Sequence, residues 1–188
     1  MEKASNLLAI LEELTQDAQN IDNTAIEEAE QKILQAKRVF VSGAGRSGFV
    51  ARAFANRLMH IGFDVHFVGE PTTPAIRKGD VLMIGSGSAT TKSMLMQAQT
   101  AKREEAEVVI LTTNEEGDIA KLADTVILIP GNSSRSHTQS AVKAPSIQPN
   151  GNSFEQLCWL IYDGMAVDLI KAAGQKQEQM DRRHSNLE

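Results

Sequence analysis

The sequence contains several short apolar segments, and the segment Val81–Ile84 constrains the fold most. All four residues are apolar, without the polar alternation of a strand that has one face in water. Such a run is typical of a central strand buried on both faces. It ends at Gly85-Ser86-Gly87-Ser88, where glycine lets the backbone approach a ligand and hydroxyls can donate hydrogen bonds. The pattern favours an α/β fold with a functional loop directly after this strand in the sequence.

Four further strand-like segments alternate with helix-like stretches, at residues 38–42, 65–68, 108–111 and 126–129. Such alternation is typical of a parallel sheet covered by helices on both faces. We therefore predict a doubly wound parallel sheet of five strands, and we take for it the flavodoxin-like order 2-1-3-4-5, one of the two common orders of such sheets. A helical hairpin is predicted before it, and after it a long helix capped by Asn152 or Ser153. The chain shows no linker and is predicted to form one domain, residues 1–188.

Two loops have the composition of anion-binding sites. The loop after the third strand carries the hydroxyl residues Ser86, Ser88, Thr90 and Thr91. A helix predicted to begin there would offer free N–H groups and the positive end of its dipole. The loop Gly43-Ala44-Gly45-Arg46-Ser47-Gly48 follows the first strand and also opens a helix. In the predicted strand order both loops meet where the order reverses, so one compact phosphorylated ligand can contact both.

Other readings of these loops stay open. Either loop alone has the composition of an ordinary turn with a helix cap. The first loop also matches the G-x-G-x-x-G pattern of dinucleotide sites, with Glu70 at the end of the next strand as the expected acid. Arg46 and the serine-rich second loop favour a small phosphorylated ligand over a dinucleotide. The polar stretch 131–151 is too long for a routine connection and is predicted to be a functional loop.

Composition restricts the partners. With 24 acidic and 19 basic residues and no run of Lys or Arg, we predict no binding to nucleic acid or membranes. The four histidines lack metal-ligand spacing, and we predict no metal or other cofactor. The single cysteine, Cys158, lies among apolar residues, which predicts a buried thiol in a reducing compartment. Without a signal peptide or an apolar run of about 18 residues, the protein is predicted to be cytoplasmic.

Seven motifs, spread nearly from end to end, carry a resemblance to a known family. They are Gly43–Gly48, Arg57-Leu58-Met59-His60, Val68-Gly69-Glu70, Ile84–Lys92, Ile147-Gln148-Pro149, Phe154-Glu155-Gln156 and Arg183-His184-Ser185-Asn186-Leu187-Glu188. Together they resemble the 6-phospho-3-hexuloisomerases of the sugar isomerase (SIS) domain family. The resemblance implies interconversion of D-arabino-hex-3-ulose 6-phosphate and D-fructose 6-phosphate through an enediol, in the ribulose monophosphate route of formaldehyde fixation. It also implies a homotetramer without a metal.

The resemblance implies roles for individual residues. Ser47, Ser86, Ser88 and Thr91 correspond to the family's phosphate and substrate contacts. We expect the other residues of the two loops to take part in substrate binding as well, namely Gly45, Arg46, Gly87, Ala89 and Thr90. Glu155 corresponds to the family's proton acceptor, although by position alone it reads as an acid that favours a helix start. His184, in the family's characteristic ending, is a candidate to move a proton between sugar oxygens, in the pocket of a neighbouring subunit. By position alone it would belong to a disordered tail.

The chain departs from the family pattern in its second loop. Ala89 and Thr90 stand where the family usually has glycine and glutamate. We expect Ala89 to be strained if the backbone there needs a conformation that favours glycine. Two other functions stay open: a non-catalytic module that binds a sugar phosphate, and an SIS isomerase that acts on a pentose or heptose phosphate.

Overall fold

The strand β3 (Val81–Gly85) lies at the centre of the sheet in the computed structural model, which describes residues 4–131 and 146–187. The other strands are β1 (Val39–Gly43), β2 (Val65–Phe67), β4 (Glu107–Thr112) and β5 (Thr125–Leu128). They form a five-stranded sheet of order β2-β1-β3-β4-β5, and every pairing is parallel. The predicted fold class and strand order are confirmed.

Helices flank the sheet in the described part of the chain. They are α1 (Ser5–Ala18), α2 (Asn23–Gln35), α3 (Gly45–Ile61), α4 (Lys92–Arg103), α5 (Asn152–Ala172) and α6 (Gln177–Asp181). The hairpin of α1 and α2 and the long helix α5 were expected. Most of the predicted functional loop, residues 132–145, lies outside the described residues. No described helix has both the length and the apolar character needed to cross a membrane.

Successive strand residues point to opposite faces of the sheet, so β3 contributes to two cores. Val81 and Met83 are buried in a cluster with side chains of α2, α3 and α5. Leu82 and Ile84 are buried in a second cluster with side chains of α4. The absence of polar alternation in β3 is thus explained by burial on both faces.

Cys158 lies on the buried side of α5 and is 1% exposed. Burial, and to a lesser degree the nearby Glu155, raises the pKa of this thiol well above its ordinary value. A thiol with a raised pKa is a poor nucleophile at neutral pH. The prediction of a buried Cys158 is confirmed.

Candidate active site

A cleft of about 370 Å³ opens at the carboxyl ends of β1 and β3, where the strand order reverses. Three segments line it: residues 44–47, residues 85–88 with 91 and 94, and residues 150–152 with 154 and 155. The structure therefore brings both predicted anion loops to one cleft and adds the start of α5. Its volume lies at the lower end of the range for small-molecule sites, which suits a compact ligand.

The first loop turns directly from β1 into α3, so Arg46 and Ser47 lie in the first turn of that helix. Gly43 and Gly48 allow the strand and the helix to approach closely. A Cβ on Gly43 would lie 2.8 Å from the Ser47 carbonyl oxygen, and one on Gly48 would lie 2.8 Å from the Gly43 carbonyl oxygen. Two of the three glycines in the G-x-G-x-x-G pattern are thus required by packing, whatever ligand binds.

The second loop carries two buried hydroxyl side chains, Ser86 and Ser88, ahead of α4. Its carbonyl oxygens are held by residues at the end of β4. The Thr113 N–H and hydroxyl donate to the Gly87 carbonyl at 3.1 and 2.9 Å, and the Asn114 side chain donates to the Ser88 carbonyl at 3.1 Å. These carbonyl oxygens are therefore turned into the protein, away from any bound anion.

Sequence analysis missed the residues that hold this loop. Thr112 also donates its hydroxyl to the Gly87 carbonyl, at 3.1 Å. The available signal was the polar run Thr112-Thr113-Asn114 at the end of an apolar strand. Because carboxyl ends of neighbouring parallel strands share one edge, such a run points to the same site.

Ala89 and Thr90 do not line the cleft. Ala89 is buried in the core and has a φ of 52°, in the left-handed region. For a residue other than glycine this conformation costs about 1–2 kcal/mol, as expected from the departure noted in the sequence. Thr90 is exposed, and its hydroxyl donates to the Ser88 Oγ at 3.1 Å.

Gly117 packs against Ala89, and we expect Gly117→Ala to destabilise the protein. The new Cβ would lie 2.4 Å from the Ala89 Cβ and 3.0 Å from the Ser88 carbonyl oxygen. Overpacking of this kind costs about 1–3 kcal/mol, measurable as a lower free energy of unfolding in urea. Adding Ala89→Gly removes the closest contact and should recover part of the loss. Gly164→Ala, which meets no atom within 4 Å, is the control, and an equal loss there would contradict this account.

Glu155 lies in the first turn of α5 and is the acidic residue of the cleft wall. The N-cap is Gly151, with a φ of 95°, so the prediction that Asn152 or Ser153 caps this helix is wrong. The Glu155 carboxylate accepts a hydrogen bond from the Arg46 Nε. Its side chain is 16% exposed, whereas that of Arg46 is 64% exposed. A carboxylate and a guanidinium thus stand side by side at the cleft, and the helix dipole favours the carboxylate there.

His184 lies far from the cleft of its own chain. Its ring stacks on His60 with 5.0 Å between centroids, and Arg183 donates to the His60 and Ile61 carbonyls at the end of α3. The other end of this 17-residue helix lines the cleft, roughly 25 Å away at 1.5 Å per residue. The structure therefore does not bring His184 and Glu155 together within one chain. Burial, with His184 and Arg57 nearby, lowers the pKa of His60.

Among residues 4–131 and 146–187, no group of three or more His, Cys, Asp or Glu side chains is placed to hold a metal ion. The polar side chains that line the cleft are instead hydroxyls, the amides of Asn150 and Asn152, one carboxylate and one guanidinium. These groups can bind an anion and can accept and return a proton.

The burial of Ser88 beside the start of α4 leads us to expect that Ser88→Ala weakens the binding of fructose 6-phosphate. A hydrogen bond to a charged group contributes about 1.5–3 kcal/mol, so the dissociation constant should rise about ten- to a hundredfold. Isothermal titration calorimetry measures it directly. Ser93→Ala, at an exposed serine of the same helix, is the control. Equal affinity in the Ser88 variant and the wild type would exclude this hydroxyl from the site.

Comparison with known proteins gives consistent matches. Residues 32–145 match the SIS domain. A 3-hexulose-6-phosphate isomerase of Bacillus subtilis (strain 168) is 41% identical over 188 residues, which cover 100% of both chains. A 3-hexulose-6-phosphate isomerase of Mycobacterium gastri is 38% identical over 184 residues, covering 98% of this chain and 90% of its own.

A solved structure is similar over nearly the whole chain. It is the crystal structure of a Methanococcus jannaschii protein, from which the function of a 3-hexulose-6-phosphate isomerase was inferred. The TM-score is 0.77 at 31% identity, and the match covers 98% of this chain and 96% of that one. The similarity therefore extends beyond the two predicted anion loops to the helices at both ends.

Proposed function

The chain belongs to the SIS domain family, and from that premise we propose that it interconverts D-arabino-hex-3-ulose 6-phosphate and D-fructose 6-phosphate. Relatives that match it from end to end are named for this reaction. The observation that carries the proposal is the Arg46–Glu155 pair on the wall of a cleft that also holds the serine-rich loop. The function is that of a sugar phosphate isomerase in the ribulose monophosphate route.

The serine-rich loop is the proposed phosphate site. The hydroxyls of Ser86 and Ser88 and the first N–H groups of α4 would donate to the phosphate oxygens. The phosphate is remote from the bonds that change, so its binding energy orients the sugar against the opposite wall. Ser47 and Thr91 also line the cleft and are proposed to contact the substrate.

Glu155 is the proposed base. Its carboxylate removes the proton from carbon 2 of the hex-3-ulose, and the C–H electron pair forms the double bond to carbon 3. The carbonyl oxygen on carbon 3 takes up the displaced electron pair as an enediolate, which the guanidinium of Arg46 would stabilise. A proton then moves from the oxygen on carbon 2 to the oxygen on carbon 3. Glu155 returns its proton to carbon 3, which leaves the carbonyl at carbon 2 of fructose 6-phosphate.

An apolar groove next to the cleft supports assembly of several copies. Leu11, Phe49 and Trp159 line this groove of about 460 Å³, which shares Arg46 and Glu155 with the cleft. Phe49 is 73% exposed and Trp159 is 45% exposed. Contiguous exposed apolar side chains of this size mark interaction surfaces. We take a second copy of the chain to cover the groove, within the homotetramer that the resemblance implies.

His184 is proposed to act in the cleft of a neighbouring copy. An imidazole can both donate and accept a proton, which suits the transfer of a proton between the two sugar oxygens. Arg183 and the stack on His60 hold the exposed ring on the outside of its own chain. A partner that covers the apolar groove beside Glu155 can bring such a ring to the substrate.

The buried Cys158 supports a reducing compartment, and we propose the cytoplasm as the location.

Direct assay of sugar phosphates tests the proposed function. Purified protein is expected to convert fructose 6-phosphate to the hex-3-ulose 6-phosphate, and to leave a pentose and a heptose phosphate unchanged. Preference for the pentose or heptose would identify an isomerase of different specificity. Binding of fructose 6-phosphate by calorimetry without any conversion would identify a non-catalytic sugar-phosphate module and overturn the proposal.

A further inference from the structure

Glu13 of α1 holds the segment that leads into the active site. Its carboxylate accepts hydrogen bonds from the Ser146 hydroxyl at 2.9 Å, the Ile147 N–H at 3.0 Å and the Gln148 side-chain amide at 3.0 Å. The bonds from Ile147 and Gln148 lower the pKa of the Glu13 carboxyl. One side chain thus binds three consecutive residues that lie more than a hundred positions away in the sequence.

The held segment continues directly into the wall of the cleft. Two residues after Gln148, residues 150–152 line the cleft. The Pro149 carbonyl accepts from the Asn152 N–H at 3.1 Å, and the Gly151 carbonyl accepts from the Glu155 N–H at 3.1 Å. A short, internally bonded stretch therefore connects the bonds at Glu13 to the helix turn that carries Glu155. Glu13 thus holds the residues that lead into that turn.

We propose that Glu13 is a positioning residue, which keeps the start of α5 and the Glu155 carboxylate in place for proton transfer. This inference rests on the proposed function. Displacement of a reacting group by about 1 Å can cost as much as a hundredfold in rate, so a residue outside the cleft can control the chemical step. The serine-rich loop is held separately, by Thr113 and Asn114, so we expect substitutions at Glu13 to leave binding of the phosphate intact.

Three substitutions at Glu13 give graded expectations. Glu13→Ala removes every acceptor and should lower kcat for fructose 6-phosphate about tenfold or more. Glu13→Gln keeps one acceptor oxygen and should have an intermediate effect. Glu13→Asp keeps both oxygens on a shorter side chain and should recover most of the rate. Glu12→Gln makes the same charge change at the neighbouring exposed residue of α1 and should leave kcat unchanged.

Calorimetry separates positioning from a general loss of folded protein. A positioning role leaves the number of fructose 6-phosphate sites and the dissociation constant within about twofold of the wild type, because the phosphate loop is intact. In the same variant, kcat divided by the number of sites counted by calorimetry should fall. A merely structural role would lower the number of sites while kcat per site stays unchanged, and that result would overturn the proposal. Equal kcat in Glu13→Ala and the wild type would overturn it as well.

Amide hydrogen exchange tests the contact itself without a substrate. The Ile147 amide and its neighbours up to residue 152 should exchange faster in Glu13→Ala than in the wild type or Glu12→Gln. Unchanged exchange would overturn the proposal, whatever the kinetics show. If wild-type protein fails to convert fructose 6-phosphate, the proposed function fails, whereas faster exchange would still establish that Glu13 positions the start of α5.

Discussion

Glu155→Gln should abolish isomerisation and leave the fold intact. A carboxamide is close in shape to a carboxylate but cannot accept the carbon-bound proton, so kcat should fall at least a hundredfold, and about 10⁴-fold if no other group substitutes. Exchange of that proton with solvent should fall equally, because exchange and isomerisation share the enediol. Both rates are measured by NMR on fructose 6-phosphate in deuterated water.

The variant also replaces the ion pair between Arg46 and Glu155 with a hydrogen bond from the charged Arg46 to a neutral amide, so a control is needed for the change of charge. Asp163→Asn makes the same carboxylate-to-amide change at an exposed residue of α5 and should keep full activity. Thermal unfolding should show both variants folded. Near wild-type proton exchange in Glu155→Gln would show that another group is the base.

His184→Ala should be nearly inactive alone, with activity partly restored when it is mixed with Glu155→Gln. Loss of an acid–base group costs about 10²–10⁴-fold in rate, so each variant alone should be close to inactive. If His184 acts on a neighbouring copy, a mixed interface pairs an intact Glu155 with an intact His184 in one of its two sites. Random reassociation of equal amounts should therefore restore about a quarter of wild-type activity.

The mixing experiment requires that subunits exchange, which mass spectrometry of differently labelled chains verifies. Full activity of His184→Ala alone would show that the histidine is dispensable. A mixture that stays inactive although the subunits exchange would show that His184 serves its own chain, which would require the tail to leave its place against His60.

The sheet could be predicted from sequence because its strands are short, mostly apolar segments separated by helix-like stretches. The alternation with helices predicted a parallel sheet, for which a common doubly wound order was taken. The structure shifts each strand boundary by at most one residue. The convergence of the two loops at residues 43–48 and 85–91 then follows from the strand order alone. Residue pattern and connection rules together were enough to place the cleft.

The contacts that complete the site could not be predicted in the same way. Arg46 pairs with Glu155 across 109 positions, and the anchors of the second loop lie at the end of β4 and just after it, 25 or 26 positions away. These pairings depend on tertiary packing, and the polar run at residues 112–114 indicates a site at that edge of the sheet without naming its partners. The N-cap of α5 was assigned to Asn152 or Ser153 because asparagine and serine are usual N-caps, whereas the N-cap is Gly151, which adopts a positive φ.

The fate of the substrate's carbon-bound hydrogens tests the central claim most directly. Wild-type protein is incubated with fructose 6-phosphate in deuterated water and followed by NMR. We expect the signals of a hex-3-ulose 6-phosphate to appear, with deuterium at carbon 3 of the recovered fructose 6-phosphate and at carbon 2 of the product. Deuterium at carbon 1 instead would identify an aldose–ketose isomerase. No deuterium at any carbon, with bound but unchanged substrate, would contradict an enediol reaction in this cleft.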